Sequence, residues 1–366
     1  MRVTGSPAGW RREITGEDGS VAALGEWGLI AALTARMPPG TLTSVGIGDD
    51  SAVVAAPSGS VVAAVDLLIE GRHFRREWSS AYDVGVKAAA RSLADIAAMG
   101  AVSTALLVAL AAPGSLPARW ATDLAEGLAA EATRAGAGIV GGDTARADTI
   151  TLSVTALGDL EHRRPVLRSG ARPGDIVAVA GPLGHSAAGL ALLTAGARAN
   201  PARSPAPQAP APQAPAPAPP LPIALAALVT AHVRPAPPYD AGPEAARLGA
   251  TAMIDVSDGL VADLGHVAAA SGVRVNLNRS MLEPAAALRE AAAFLAAPKP
   301  AFQPQAAPSP LDWMLTGGED HSLVATFPPA TVLPSRWRLI GEVSEGAGVT
   351  VDGAPHEGPA GWQHFR

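Results

Sequence analysis

At 366 residues, with 48% hydrophobic and only 4% aromatic side chains, the chain can bury two ordinary cores, filled mainly by Ala, Val and Leu. A net charge of −6 argues against a nucleic-acid partner, and the absence of cysteine excludes disulfides, zinc–thiolate sites, iron–sulfur clusters and a thiol nucleophile. No apolar leader occupies residues 1–19 and no apolar run approaches the roughly 18 residues of a membrane span, so the expectation is a soluble, cytoplasmic protein without a membrane partner.

In chain order, residues 26–37 read as a helix with Leu29, Ile30 and Leu33 on one face, ended by Pro38-Pro39-Gly40. Short valine-rich strands follow over 51–56 and 60–65, then a helix over 81–99 closed by Gly100. A strand over 105–110, a helix over 116–135 and strands over 139–140 and 149–157 complete an α/β or α+β domain ending near Gly158. The turn Arg172-Pro173-Gly174-Asp175 opens a second half with strands over 176–180, 252–255, 274–277, 323–327 and 339–343. Its helices are expected over 186–194, 223–233 and 260–270. Residues 201–222, an Ala-Pro-Gln repeat, read as a solvated loop or a docking segment, and 298–310 as a second insertion.

Aspartates recur at the mouths of these elements. Gly46-Ile47-Gly48-Asp49-Asp50 sets two glycines, which admit close backbone approach, before adjacent carboxylates; a solvated turn is the other reading. Asp66 ends the apolar run 61–65, where a buried carboxylate needs a partner or a metal. Asp95 sits among apolar neighbours in a helix, placed for a metal or for an ion pair with Arg91, and Lys87 on the same face would meet phosphate or solvent. Gly141-Gly142-Asp143-Thr144, read as following the strand 139–140, offers backbone N–H groups to phosphate and a carboxylate to a bridging metal. Asp255-Val256-Ser257-Asp258-Gly259 joins a strand to a helix that Ser257 or Asp258 is placed to cap, and Asp255 is free of that duty. Thr316-Gly317-Gly318-Glu319-Asp320 again sets a glycine pair before two acids. Magnesium prefers carboxylate and water oxygens, and phosphoryl transfer needs mainly charge neutralisation and alignment. No Walker A sequence and no protein-kinase motif set is present, so the nucleotide site is of another kind.

Taken together, the motifs resemble the thiamine-monophosphate kinase family of the AIR-synthase-like ATP-binding superfamily. The matches are Gly25-Glu26-Trp27, GIGDDSAV from Gly46, Asp66 with Gly71-Arg72-His73-Phe74, SLADIAAMGA from Ser92 and GGDT from Gly141. They continue with RSGARPGD from Arg168, SAAGL from Ser186, DVSDGLVADLGH from Asp255, GGED from Gly317 and Gly361-Trp362-Gln363-His364-Phe365. The family order is kept over nearly the whole chain outside the two proline-rich stretches. The resemblance implies an α+β fold of α/β layers in two domains. A tail over 1–24 would precede an N-terminal dimerising sheet domain over 25–160 that binds ATP and magnesium, followed by a C-terminal α/β domain over 161–366. It implies a homodimer with ATP near the dimer interface. By the same resemblance Asp50, Asp66, Asp95, Asp143, Asp255 and Asp258 are ligands of several Mg2+ ions, and Gly142, Asp143, Arg168 and Ser257 touch ATP. His73, Glu319 and Trp362 would contact thiamine monophosphate, although an aromatic beyond the last strand also packs commonly on its own domain.

Two positions depart from the family pattern: Ala64-Val65 stand where relatives carry hydroxyl residues before the aspartate, and His321 where relatives carry tyrosine. His162, His185, His232, His266 and His356 read as surface or structural. The implied reaction is ATP plus thiamine monophosphate giving ADP plus thiamine diphosphate by in-line transfer. The acceptor phosphate is already ionised at neutral pH, so no residue is assigned as general base, and positioning and charge neutralisation carry the rate. One rival keeps the fold but activates an amide or carbonyl oxygen with ATP, releasing phosphate; another is a non-enzymatic nucleotide sensor.

Overall fold

A computed structural model describes residues 19–47, 51–197, 221–297 and 309–362. Asp49, Asp50, most of both proline-rich stretches, and Gln363, His364 and Phe365 lie outside the described residues. The chain divides into two compact units, one of residues 1–96 with 101–163 and one of 97–100 with 164–366.

In the first unit, the Ser20 hydroxyl accepts the Ala23 N–H at 3.2 Å and starts α1 (Val21–Thr34), so helix begins ahead of Glu26 and a kink at Gly25, with φ +68°, separates the extra turn. A ribbon of β1 (Thr43–Val45) and β2 (Val53–Val54) precedes the main elements. These are β3 (Val62–Ile69), α2 (Ala81–Ala98), β4 (Val102–Ala112), α3 (Ala118–Arg134), β5 (Gly138–Arg146) and β6 (Thr151–Asp159). The strands lie in the order β3-β6-β4-β5, with β4 and β5 parallel because α3 carries the chain back between them. Leu29 and Leu33 of α1 pack on Ala121 and Ala125 of α3. Helices α2 and α3 cross backbone to backbone: a Cβ at Gly85 would lie 2.2 Å from the Leu124 carbonyl oxygen, and one at Gly127 2.1 Å from that of Tyr82.

Two expectations about this sheet are corrected. Asp66 does not end a strand; β3 pairs with β6 from Val62 opposite Gly158 to Ile69 opposite Thr151, running straight through it. The apolar run is half solvated rather than buried, since Val65 is 63% and Leu67 53% exposed on one face while Leu68 is buried on the other. Gly141-Gly142-Asp143-Thr144 is not a loop after a strand but the middle of β5, with Gly142 opposite Val108 and a register shift between Leu106 and Leu107. A Cβ at Gly142 would fall 1.9 Å from the Val108 carbonyl oxygen, so glycine here lets two strands approach. Lys87 is also buried rather than solvated.

The second unit contains β7 (Ile176–Ala180), α4 (His185–Thr194), α5 (Ile223–Val233), α6 (Ala241–Arg247), β8 (Ala252–Asp255), α7 (Leu260–Ser271) and β9 (Arg274–Leu277). It continues with α8 (Ala286–Ala296), α9 (Pro310–Thr316), β10 (Leu323–Phe327), β11 (Trp337–Ser344), β12 (Gly348–Val351) and β13 (Ala354–Pro355). A seven-stranded sheet in the order β13-β12-β9-β11-β7-β10-β8 is antiparallel except where β12 meets β9. The proline-rich stretch read as running to residue 310 ends in a helix start: Ser309 and Asp312 form a capping box and Pro310 occupies the first turn of α9, where its missing N–H loses nothing. Among the described residues no helix is long and apolar enough to cross a membrane.

The α2–α3 crossing yields a first prediction. Gly127→Ala gains helix propensity but drives a methyl group into the Tyr82 carbonyl, so overpacking wins and stability falls by ~1–3 kcal/mol. Thermal unfolding checks this; a variant that melts at or above the parent temperature shows that the crossing is looser than described.

Candidate active site

At one end of the second unit's sheet, β8 and β10 lie side by side with Asp255 opposite Leu323, and the loops that leave them stay paired. The His321 N–H donates to the Val256 carbonyl at 2.9 Å and the Glu319 N–H to the Ser257 carbonyl at 2.8 Å. A Cβ at Gly318 would stand 2.5 Å from the same Ser257 oxygen. The C-terminal run joins them, for the Trp362 N–H donates to the Asp258 carbonyl at 2.9 Å and a Cβ at Gly361 would lie 2.4 Å from that oxygen. Asp255, Ser257, Asp258, Glu319 and Trp362, each singled out from sequence, are thereby brought to one cluster. Trp362 is 62% exposed.

The cap expected from Ser257 or Asp258 is not made. Gly259 is the N-cap of α7 without a side-chain bond, and the work falls to Asp263, whose Oδ2 accepts the N–H groups of Ser257, Asp258 and Gly259 at 3.0, 3.1 and 3.0 Å. Burial, with Asp255 and Asp258 close by, pushes Asp263 up to about 7 against those donors. Asp320 behaves similarly. Its carboxylate accepts from the Gly184 and Ser186 N–H groups at 2.5 and 2.8 Å, so the N-terminus of α4 is occupied by the protein's own acid. Complete burial pushes Asp320 up to about 7 despite these bonds.

His232, read as surface or structural, is buried on α5 with Nδ1 3.1 Å from the Ser186 hydroxyl and 3.5 Å from Oε2 of Glu319. His321 is 2% exposed, with Nδ1 3.1 Å from Oδ2 of Asp255. Neither histidine nor Asp263 was assigned a role from sequence. An acid in the first turn of a helix that follows a glycine was the available signal for Asp263; for His321 the signal was its departure from the family's tyrosine, and His232, whose contacts cross distant elements, gave none. Arg168 is not brought to this cluster: it is exposed, beside Leu167, whose carbonyl accepts the Met253 N–H, at the far end of β8 from Asp255.

In the first unit, Asp66 Oδ2 accepts the Ser92 hydroxyl at 3.2 Å and its Oδ1 lies 3.6 Å from Arg91. Arg91, considered as a partner for Asp95, lies against Asp66, and Asp95 follows one turn later on the same face of α2. Asp143 stands apart. Register aligns it with Ala109, Ser153 and Leu67, whereas Asp66 aligns with Val154, Val108 and Gly142. The two acids thus point to opposite faces, three strand spacings or roughly 14 Å apart. A cleft of about 110 Å³, lined by Leu33, Leu124 and Leu128, opens beside Gly141–Thr144. His73 follows β3 in a turn where its Nδ1 accepts the Ile69 N–H at 3.0 Å, which places the ring proton on Nε2.

Among the described residues no three His, Asp or Glu side chains stand close enough to hold a metal ion alone. The donors are nevertheless all carboxylate and hydroxyl oxygens, a set that suits magnesium, which takes one or two carboxylates and completes its shell with water and phosphate.

Residues 48–160 match the family described as AIR synthase related protein, N-terminal domain. A thiamine-monophosphate kinase of Mycobacterium tuberculosis is 44% identical over 354 residues, which span 95% of this chain and 94% of that one. The crystal structure of thiamine-monophosphate kinase from Stenotrophomonas maltophilia superposes with a TM-score of 0.70 at 30% identity, covering 90% of this chain and 95% of the other. A structure of AaThiL complexed with AMPPCP and TMP gives a TM-score of 0.69 at 32% identity over 93% of this chain and 97% of that one. By full-length identity and by fold, this chain belongs to the thiamine-monophosphate kinase family.

Proposed function

We propose that the protein transfers the γ-phosphoryl group of ATP to the phosphate of thiamine monophosphate, giving ADP and thiamine diphosphate, with magnesium as the required cation. The observation that carries the reading is the convergence of three family motifs, Asp255–Asp258, Gly317–Asp320 and Gly361–Trp362, at one end of one sheet. Kinship with relatives named for this reaction, and with a structure that holds AMPPCP and TMP, supports it. Both substrates are polyanions, so repulsion must be neutralised before the oxygens can align; magnesium, when bound, supplies that neutralisation. Asp66, Asp95, Asp143, Asp255 and Asp258 are the described residues that would hold it, with Asp50 outside the described set. Ser257 offers a hydroxyl beside Asp255 and Asp258, and Gly142, Asp143 and Arg168 remain proposed ATP contacts. His73 and Glu319 are proposed substrate contacts. Since the acceptor phosphate carries its own negative charge near neutral pH, the chain needs only to hold it in line.

A homodimer is part of the reading. Val65 lies beside Thr155, which lies beside Leu107, and all three share the face of the first unit's sheet opposite to α2, with Val65 63% and Leu107 36% exposed. An apolar face of this kind suits a second copy. Its edge also carries Asp143, so pairing would bring that acid into a shared site.

Incubation with ATP, magnesium and thiamine monophosphate, followed by chromatography, should yield thiamine diphosphate; phosphate release without it would favour the ligase rival. Chelation by EDTA should stop turnover and added magnesium restore it. Asp66→Asn should lower kcat about 100-fold with little change in melting temperature, and near-parental turnover would remove Asp66 from the metal set.

Trp362→Ala should raise the thiamine monophosphate KM roughly tenfold, from loss of stacking on a flat cationic ring worth ~1–2 kcal/mol, with the ATP KM unchanged. A sharp fall in melting temperature with both substrates impaired alike would mean that the indole packs internally. Val65→Glu combined with Leu67→Glu should turn a dimer into a monomer by light scattering and abolish activity; a dimer that survives both charges pairs through another surface.

A further inference from the structure

The imidazole of His321 is 3% exposed, and its two nitrogens fare differently. Nδ1 stands 3.1 Å from Oδ2 of Asp255, whose own side chain is 5% exposed. Nε2 is buried too and, among the described residues, has no hydrogen-bond partner. Unpaired buried nitrogens are rare in native folds because they lose water and gain nothing. A ring kept only to fill volume would be better served by carbon. Its backbone adds a second unfavourable feature, φ of +51° in the left-handed region, held there by the His321 N–H on the Val256 carbonyl at 2.9 Å. Nδ1 is the ring atom the structure sets against Asp255. A tyrosine at this position could not reproduce the contact, since its hydroxyl lies at the far end of the ring whereas Nδ1 lies next to the ring's attachment point.

We propose that His321 is a positioning residue for the divalent cation. By donating from Nδ1 to Oδ2, it locks the Asp255 carboxylate in an orientation that leaves Oδ1 for the ion. Groups that orient a metal-bound ligand without touching the metal tune affinity in this way. The inference rests on the reading of Asp255 as a metal ligand, and the experiment separates the two.

Calorimetry of AMPPCP binding to the full chain is followed across a magnesium titration for the parent, Asp255→Asn, His321→Phe, His321→Asn and the double variant Asp255→Asn/His321→Phe. His321→Phe should raise the magnesium midpoint roughly tenfold. His321→Asn, whose amide places a donor near the Nδ1 position, should recover most of that shift. In the Asp255→Asn background His321→Phe should add nothing, because a residue that acts through Asp255 has no effect once Asp255 is gone. If Asp255→Asn shifts the midpoint and His321→Phe does not, or if the two shifts add, the positioning role is overturned while the metal ligand stands. An unchanged midpoint in Asp255→Asn overturns both. Should His321→Phe fail to fold, His321→Gln replaces it, with its donor near the Nε2 position: Gln impaired and Asn parental supports the proposal, and equal midpoints overturn it.

Discussion

Three backbone N–H groups, those of Ser257, Asp258 and Gly259, converge on one carboxylate oxygen of Asp263, and the geometry of the candidate site descends from that arrangement. With the loop between β8 and α7 held in this shape, its carbonyl oxygens face outward as a template. Ser257 receives the Glu319 N–H and Asp258 receives the Trp362 N–H, so two remote segments are registered against it. Burial, and then the nearby Asp255 and Asp258, push Asp263 up to about 7.

Glycine serves this architecture in a way that ligand-centred reasoning overlooks. Gly142 admits the Val108 carbonyl, and Gly318 admits that of Ser257; a methyl group at either position would overlap the oxygen. The Gly-Gly-acid motifs are first a means of bringing backbone against backbone. Their acids are then presented from positions that the neighbouring chain has fixed, which is what alignment of two phosphates requires.

The first unit adds a different constraint. A strand sends successive side chains to opposite faces, so Asp66 and Asp143, in rows offset by one residue, cannot meet within one sheet. Asp66 faces α2, where Ser92 and Arg91 receive it, while Asp143 faces the open apolar side with Val65 and Leu67. The sheet by itself therefore does not bring these two acids together.

The order of strands and helices in the second half was legible from residue pattern alone, because buried valine-rich runs and the turn at Arg172–Asp175 follow local rules. The strands over 176–180, 252–255, 274–277 and 323–327 stand where the pattern put them. Helices α6 and α8 were not read, being short or alanine-rich with little period to distinguish a face. Which residues bear on chemistry was legible as motifs, since glycine beside acid is a local feature. Other properties depend on neighbours that are far away in sequence. Asp66 looked like a strand end because its apolar run stops there, yet backbone pairing with β6 carries β3 past it. Gly141–Thr144 looked like a loop because glycine weakens strands, yet the Val108 carbonyl demands glycine at Gly142. His232 gave no signal, and His321 showed only as a departure from the family's tyrosine, since an imidazole becomes significant only through the partner it meets, and Glu319 and Asp255 reach them from distant segments. The sequence by itself determined the chemical inventory and most of the elements, which are set by local propensity and composition. Only the tertiary structure decided which acids share a face, which loops zip together and which histidine holds which carboxylate, because those are matters of register and close approach between distant segments.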